Sequence, residues 1–172
     1  MADKINWKQD QPAPRRAIRI IHANFPQAHS LGIYVCRDVK GTGVQSSHAE
    51  GRALDIGLRA SDPSEKFIGD QLFQGLIDSA YQSGIDNVIW NRQIWSRQNP
   101  QPRPFTGNYM KNGRPRIGAD GKPVPKNPHI DHIHVEWTKD GSQLQHLNFL
   151  ELNVSEIRGG IEEITAQQSN IA

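Results

Sequence analysis

Cysteine is nearly absent from this chain, which has one, Cys36, in 172 residues. A single thiol cannot form an intramolecular disulfide, and it excludes a structural zinc site built from several cysteines. Cys36 also ends an apolar stretch with no obvious activating base, so we do not expect it to act as a nucleophile. Any metal site must therefore use histidines and carboxylates.

Long apolar runs are also missing, so the sequence predicts no transmembrane segment. The first residues lack the charged and then apolar pattern of a secretory signal peptide. We therefore expect synthesis in the cytoplasm without a signal peptide. A substrate outside the cytoplasm would require another route of delivery.

The chain has little excess charge, with 20 Lys and Arg against 18 Asp and Glu. A formal charge of +2 is too small to indicate a nucleic-acid or membrane partner, and we expect no nucleic acid. The basic residues do concentrate in one stretch, 92–126, which is almost free of acids. This stretch leaves a metal-dependent nuclease open as a minor alternative.

The length fits one domain, and the high glycine and proline content favours a loop-rich α+β fold. We divide the chain into a polar N-terminal arm at 1–13, a domain at 14–152 and a C-terminal tail at 153–172. One helix is predicted from Pro14 to before Pro26. The clearest helix follows Asp62, which is a capping residue with Pro63 and Glu65 behind it.

Alternation of apolar and polar residues, together with β-branched and aromatic content, predicts five strands. These lie at 31–36, 53–58, 87–90, 93–96 and 130–137. A long loop at 97–128 precedes the last strand, and a short helix is predicted at 143–150. We expect the tail from Val154 onward to fray or to pack against a partner.

Two stretches hold the residues with chemical potential: SSHAEGRALD at 46–55 and HIDHIH at 129–134. Together they offer three zinc ligands, His48, Asp55 and His134. Three protein ligands leave a fourth position for water, as a catalytic zinc requires. Zinc lowers the pKa of that water toward about 7 and so makes a nucleophile available at neutral pH. The sequence therefore indicates a zinc hydrolase.

Such a site also needs a group that moves the water proton to the leaving amine. Asp131 and His132 are the two candidates for this general base, and Glu50 and Glu136 are weaker ones. On a regular strand Asp131 faces away from His132 and His134. A bulge or a strand end is needed if Asp131 is to reach the same metal as His134.

Four polar residues near the first motif are candidates for substrate binding. Arg37 or Arg52 could hold a substrate carboxylate or the developing oxyanion. Ser46 and Ser47 could bind substrate or serve only the loop in which they lie.

At these residues the chain resembles the zinc peptidases of D-Ala-D-Ala carboxypeptidases and L-alanyl-D-glutamate endolysins. Their first signature, Ser-x-His-x-x-Gly-x-Ala-x-Asp, is met by Ser46, His48, Gly51, Ala53 and Asp55. Their second, an acid three residues before the last ligand, is met by Asp131 and His134. An Asp at that position is similar to the endolysin branch. The group belongs to the lysostaphin/DD-carboxypeptidase/hedgehog superfamily.

The resemblance covers about residues 31–137 and implies a small antiparallel sheet packed by helices, with Zn²⁺ in an open cleft. It implies His48, Asp55 and His134 as ligands. The closer group's pattern makes Asp131 the general base, whereas the superfamily's His-x-His pattern makes it His132. Arg37 lies where the group often has an arginine ahead of the first motif.

The implied activity is hydrolysis of peptidoglycan stem-peptide or cross-link amide bonds that involve D-amino acids. A protein of this kind would act on the cell wall, as an endolysin released by a holin or as a toxin effector moved by a delivery apparatus. Two alternatives stay open: a non-catalytic zinc-containing protein that binds the wall, and the nuclease. The nuclease would need a downstream Asn and His on a helix, and the sequence has no such pattern.

Overall fold

A computed structural model describes residues 5–35, 46–105, 110–111, 114–115 and 128–169 of the chain. These residues form an α+β fold with a six-stranded antiparallel sheet and three α-helices, which confirms the predicted class. The helices are α1 Pro12–Asn24, α2 Pro63–Asp78 and α3 Asn148–Ser169. The strands are β1 His29–Gly32, β2 Ala53–Gly57, β3 Ile85–Trp90, β4 Gln93–Ser96, β5 Asn99–Pro104, β6 Met110–Lys111, β7 Arg114–Pro115 and β8 His132–Trp137. Short 3-10 turns lie at Ser47–Glu50 and Gly141–Gln143.

The main sheet has the strand order β1-β2-β8-β3-β4-β5, and each neighbouring pair is antiparallel. β8 therefore lies in the middle, between β2 and β3, although it is the last strand in the chain. The separate pair β6 and β7 forms a two-stranded sheet.

The two faces of the sheet differ in chemistry. Ile133, Val135 and Trp137 of β8 are buried and belong to the hydrophobic core that includes residues of all three helices. Because successive side chains of a strand alternate, the intervening residues His132, His134 and Glu136 lie on the opposite face. The helices thus cover one face, and the polar residues of β8 line the other.

Helix α2 begins where its capping sequence predicts. The Asp62 carboxylate accepts hydrogen bonds from the backbone N–H of Ser64 and of Glu65, and Pro63 occupies the first turn. Glu65 does not return a bond to Asp62, because its carboxylate is held by Arg59 instead. Leu72 and Leu76 of this helix are fully buried in the core.

Strand β5 lies inside the segment 97–128 that was predicted to be a loop, and that part of the prediction is wrong. β5 pairs with β4 at the edge of the sheet. Its prolines, Pro100, Pro102 and Pro104, alternate along the strand, so the positions without an N–H fall on one side. An edge strand tolerates this because that side has no neighbouring strand to bond.

The chain after Gln143 also differs from the prediction of a short helix and a tail. α3 is one helix of 22 residues. Val154 is buried, and Ile157 and Ile161 pack against the core at helical spacing. The boundaries drawn at 13/14 and 152/153 therefore fall inside α1 and α3. None of the described helices is long and apolar enough to cross a membrane.

Candidate metal centre

Pairing between β2 and β8 brings Asp55 and His134 together. The two residues are direct partners in the antiparallel register, and facing residues of such a pair project on the same side of the sheet. The Asp55 Oδ1 atom lies 2.7 Å from His134 Nδ1. Two residues 79 positions apart in sequence are thus adjacent because the strand register places them so.

His48 reaches the same point from the 3-10 turn Ser47–Glu50. Ser46 caps this turn, since its hydroxyl accepts a hydrogen bond from the His48 N–H. Gly51 ends the turn with φ +66°, and a Cβ at this position would lie 1.8 Å from the Gln9 carbonyl oxygen. Gly51 therefore meets two demands that other residues do not: a left-handed backbone and close contact with the N-terminal arm.

Three atoms converge in this arrangement: His48 Nε2, Asp55 Oδ1 and His134 Nδ1. His48 Nε2 is 3.4 Å from Asp55 Oδ1 and 3.4 Å from His134 Nδ1. The side chains of His48 and His134 are buried, and that of Asp55 is partly so. The group His48, Asp55 and His134 could hold a metal ion. These are the three residues that the sequence predicts as ligands.

Hydrogen bonds on the far side of each imidazole support this use. His48 Nδ1 lies 2.7 Å from the Ile33 carbonyl oxygen, and His134 Nε2 lies 3.0 Å from Glu136 Oε1. Each outer nitrogen faces an acceptor and so holds the ring's N–H. The inner nitrogens, His48 Nε2 and His134 Nδ1, would then give their lone pairs to a bound metal, whereas without metal they face Asp55 Oδ1. Outer carbonyl and carboxylate partners of this kind are the rule for metal-binding histidines.

Glu136 is the centre of a partly buried network behind the ligands. Its Oε1 also accepts a hydrogen bond from the Ser47 hydroxyl at 2.6 Å, and its Oε2 accepts one from Asn87 Nδ2 at 3.0 Å. Arg52 Nη1 lies 4.0 Å from Oε2. The sequence suggests Glu136 only as a weak candidate base. Its position two residues after His134 on one strand is the signal that places it on the ligand's face.

The electrostatics of the metal-free cluster follow from these contacts. Burial raises the pKa of Asp55, but hydrogen bonds from His134 and His48 outweigh it and hold the pKa well below its usual range. Burial likewise opposes a charge on His134, yet its bonds to Asp55 and Glu136 raise its pKa to about 9. Burial raises the pKa of Glu136, but the hydrogen bond from His134 outweighs this effect and lowers the pKa to about 2. Without metal, the charged His134 ring therefore donates one hydrogen bond to Asp55 and one to Glu136.

Asp131 and His132 form a second unit beside the cluster. β8 begins at His132, so Asp131 precedes the strand and its exposed carboxylate turns back onto the neighbouring ring. Asp131 Oδ1 lies 2.7 Å from His132 Nδ1, and His132 Nε2 lies 3.7 Å from Asp55 Oδ1. The strand end required by the sequence argument exists. It brings Asp131 to His132, and His132 to the cluster.

Three of the four residues suggested for substrate binding make hydrogen bonds around the metal cluster. Ser46 caps the turn of His48, and Ser47 donates to Glu136. Arg52 donates to the Trp137 carbonyl oxygen at 2.8 Å and pairs with Glu50. These contacts support the metal cluster from behind, and a role in substrate binding stays a prediction for all three. Arg37 lies outside the described residues, as does Cys36.

His129 has no role in the sequence-based prediction, but the structure places it next to His132 and His134. Its buried ring lies 4.8 Å from that of His132 and 5.6 Å from that of His134, measured between centroids. Its φ of +51° is unusual for a residue with a side chain. Its carbonyl oxygen accepts a bond from the Asn91 N–H at the β3–β4 turn. The spacing His-x-x-His-x-His is the sequence signal that could have found it.

Comparison with known families yields one match. The family model described as VldE, C-terminal domain, matches residues 7–113. That range is more than half of the chain and contains His48 and Asp55, while His134 lies beyond it. The chain belongs to this family. Neither the curated proteins nor the solved structures give a significant match. The family description names a domain and no reaction, so function must be argued from the site.

Proposed function

We propose that this protein is a zinc-dependent peptidase that hydrolyses peptidoglycan stem-peptide or cross-link amide bonds involving D-amino acids. One observation carries the proposal: a buried His48, Asp55 and His134 group lies beside a histidine that an aspartate orients. A cluster of three metal ligands with an acid–base pair next to it is the composition of a hydrolytic metal site.

The donor set favours zinc as the metal. Two imidazole nitrogens and one carboxylate oxygen suit zinc, whereas calcium and magnesium prefer oxygen ligands alone. When bound, zinc would supply a Lewis acid and a water of pKa about 7. The outer hydrogen bonds to the Ile33 carbonyl and to Glu136 would hold the two rings for it.

We assign proton transfer to His132 and orientation of its ring to Asp131. His132 Nε2 points toward the cluster, at 3.7 Å from Asp55 Oδ1, while its Nδ1 bonds to Asp131. The Asp131 carboxylate fixes the N–H on Nδ1, so that Nε2 is free to take a proton and to return it to the leaving amine. Asp131 also stabilises the charged ring between the two transfers.

The substrate class rests on the likeness of Ser46–Asp55 and Asp131–His134 to the signatures of zinc peptidases that act on D-amino acid bonds. The same likeness supports the proposal that the six-stranded sheet is the hedgehog/DD-peptidase type. Peptidoglycan or its muropeptides would be the partner, and the cell wall the place of action. The basic segment 92–126 would suit an anionic wall.

Digestion of purified sacculi by the zinc-loaded protein tests this function. We expect soluble fragments from the unmodified chain and none from His48→Ala, which loses a ligand. Arg59→Gln is the matched control, since Arg59 is an exposed residue paired with Glu65, and it should act as the unmodified chain does. Equal release by His48→Ala would refute the proposal. Wall binding with no turnover by any variant would instead support the non-catalytic wall-binding protein.

A further inference from the structure

A second site lies away from the metal cluster, in a cavity of about 260 Å³ at the start of α1. Three arginines of one helix line it, Arg15, Arg16 and Arg19, and Asp10 is the acid among its walls. The cavity is slightly smaller than the roughly 300–1,000 Å³ that drug-sized ligands occupy. It therefore suits a small ligand.

The described residues balance the charges of this cavity only in part. Arg16 pairs with Glu151 at 3.3 Å through Nη2. Its Nε–H is shielded from solvent and has no hydrogen-bond partner among the described residues. Arg15 and Arg19 are exposed, and neither forms an ion pair with a described residue. The guanidinium groups of Arg15 and Arg19 therefore have no counter-charge among the described residues, and an anionic ligand would supply one.

The position of the arginines on the helix points to the same ligand. Arg15 and Arg16 lie in the first two turns of α1, where the helix dipole favours negative charge. The first turn contains no acid, and the residue before the helix, Gln11, makes no side-chain cap. Arg15 and Arg19 are also four residues apart, a spacing at which like charges repel. A local arrangement that costs stability in several ways is expected at a functional site.

We propose that this arginine pocket binds a phosphate group, independently of the metal centre. A phosphate offers several oxygens to guanidinium donors, which bind it through paired charge-assisted hydrogen bonds. Asp10 also ties the pocket to the fold around His48, since its Oδ1 accepts a bond from the Tyr34 N–H. Ile33, the residue before Tyr34, supplies the carbonyl that holds His48. The pocket is thus linked through Asp10 to the segment that orients one metal ligand.

The test follows the arginine Nε–Hε resonances of the metal-free 172-residue chain during titration with inorganic phosphate. Chloride keeps the ionic strength constant, because exposed charges respond to salt. We expect saturable shifts at Arg15, Arg16 and Arg19, and none at Arg59. Parallel titrations with glycerol 3-phosphate and dimethyl phosphate tell a monoester ligand from a diester, such as a wall polymer. Shifts that fail to saturate, or that occur equally at Arg59, would overturn the proposal.

Variants give a second, independent measure. Arg15→Gln with Arg19→Gln should weaken phosphate binding at least about tenfold, as measured by calorimetry. The control, Arg59→Gln with Lys66→Gln, removes the same charge from two ion-paired residues on and beside α2, outside the pocket, and should change affinity less than about twofold. Arg16→Lys keeps the charge and removes the planar guanidinium donors, so it should also weaken binding. An equal loss of phosphate affinity in the control variant would show that only the net charge matters, and would contradict a phosphate site at these arginines.

Discussion

Replacing Glu136 by Gln tests how the metal cluster is organised. Glu136 Oε1 lies 3.0 Å from His134 Nε2 and fixes which ring nitrogen faces the metal. Gln keeps the size and an acceptor oxygen but removes the charge. Loss of an outer partner of this type typically lowers metal affinity by about 10- to 100-fold, equivalent to roughly 1.4–2.7 kcal/mol.

The effect should depend on pH, because Glu136 also raises the pKa of His134. That pKa is about 9 in the metal-free protein, so at pH 7 a metal must displace a proton at a cost on the order of 3 kcal/mol. In Glu136→Gln the pKa of His134 falls and part of this cost disappears. We therefore expect the full 10- to 100-fold loss near pH 9 and a smaller loss at pH 7.

Zinc dissociation constants, measured by competition with a chromogenic chelator at both pH values, check this prediction. Glu151→Gln is the control, since Glu151 is an exposed acid that pairs with Arg16, and it should leave zinc affinity unchanged at both pH values. Unchanged affinity of Glu136→Gln at pH 9 would refute the argument. A loss that is larger at pH 7 than at pH 9 would refute the proton-competition part of it.

Three further predictions follow from the same contacts. In the metal-free protein, the raised pKa of His134, about 9 against a usual 6.5, stabilises the fold below pH 6.5. An unfolding free energy on the order of 3 kcal/mol is lost as pH rises through 9. Urea unfolding at pH 6.5 and 9 measures this loss, and an equal unfolding free energy at both pH values would contradict it. Gly51→Ala should lower the unfolding free energy by more than about 1 kcal/mol, because a Cβ overlaps the Gln9 carbonyl oxygen; a thermal melt of unchanged midpoint would contradict it. Asp131→Asn should lower kcat by about 10²-fold or more at unchanged zinc affinity, and a parallel loss of zinc would assign Asp131 to the metal instead.

The metal cluster was predictable because its signal is local and specific. His48 and Asp55 lie in one ten-residue motif, and alternation over 130–137 predicts the strand that presents His134. The direct pairing of Asp55 with His134 needs only that these two strands be neighbours. Helix α2 was equally clear, since its start is set by Asp62 and Pro63, which act within one turn.

Features that depend on tertiary neighbours were missed. Glu136 gains its position from Ser47 and Asn87, which come from two other elements. Strand β5 has poor strand propensity and exists because an edge tolerates its prolines. α3 continues past Val154 because a few widely spaced apolar residues pack on α1 and α2, although most of that sequence is polar. Propensity and alternation contain no information about such neighbours.

The direction of the Asp131 side chain is another feature that alternation along a strand does not predict. Alternation along a regular strand turns it away from His132 and His134. The strand begins at His132, so Asp131 is not bound by that alternation and bonds to the next ring. Strand ends are set by hydrogen bonds to neighbours, and the sequence alone places them only to within a few residues.

The most direct test of the proposed activity is a mass-spectrometric digest of defined muropeptides, run with zinc and with a chelator. We predict a chelator-sensitive mass change that corresponds to hydrolysis of one amide bond next to a D-amino acid, restored when zinc is added back. Intact muropeptides in the presence of the zinc-bound protein would contradict it.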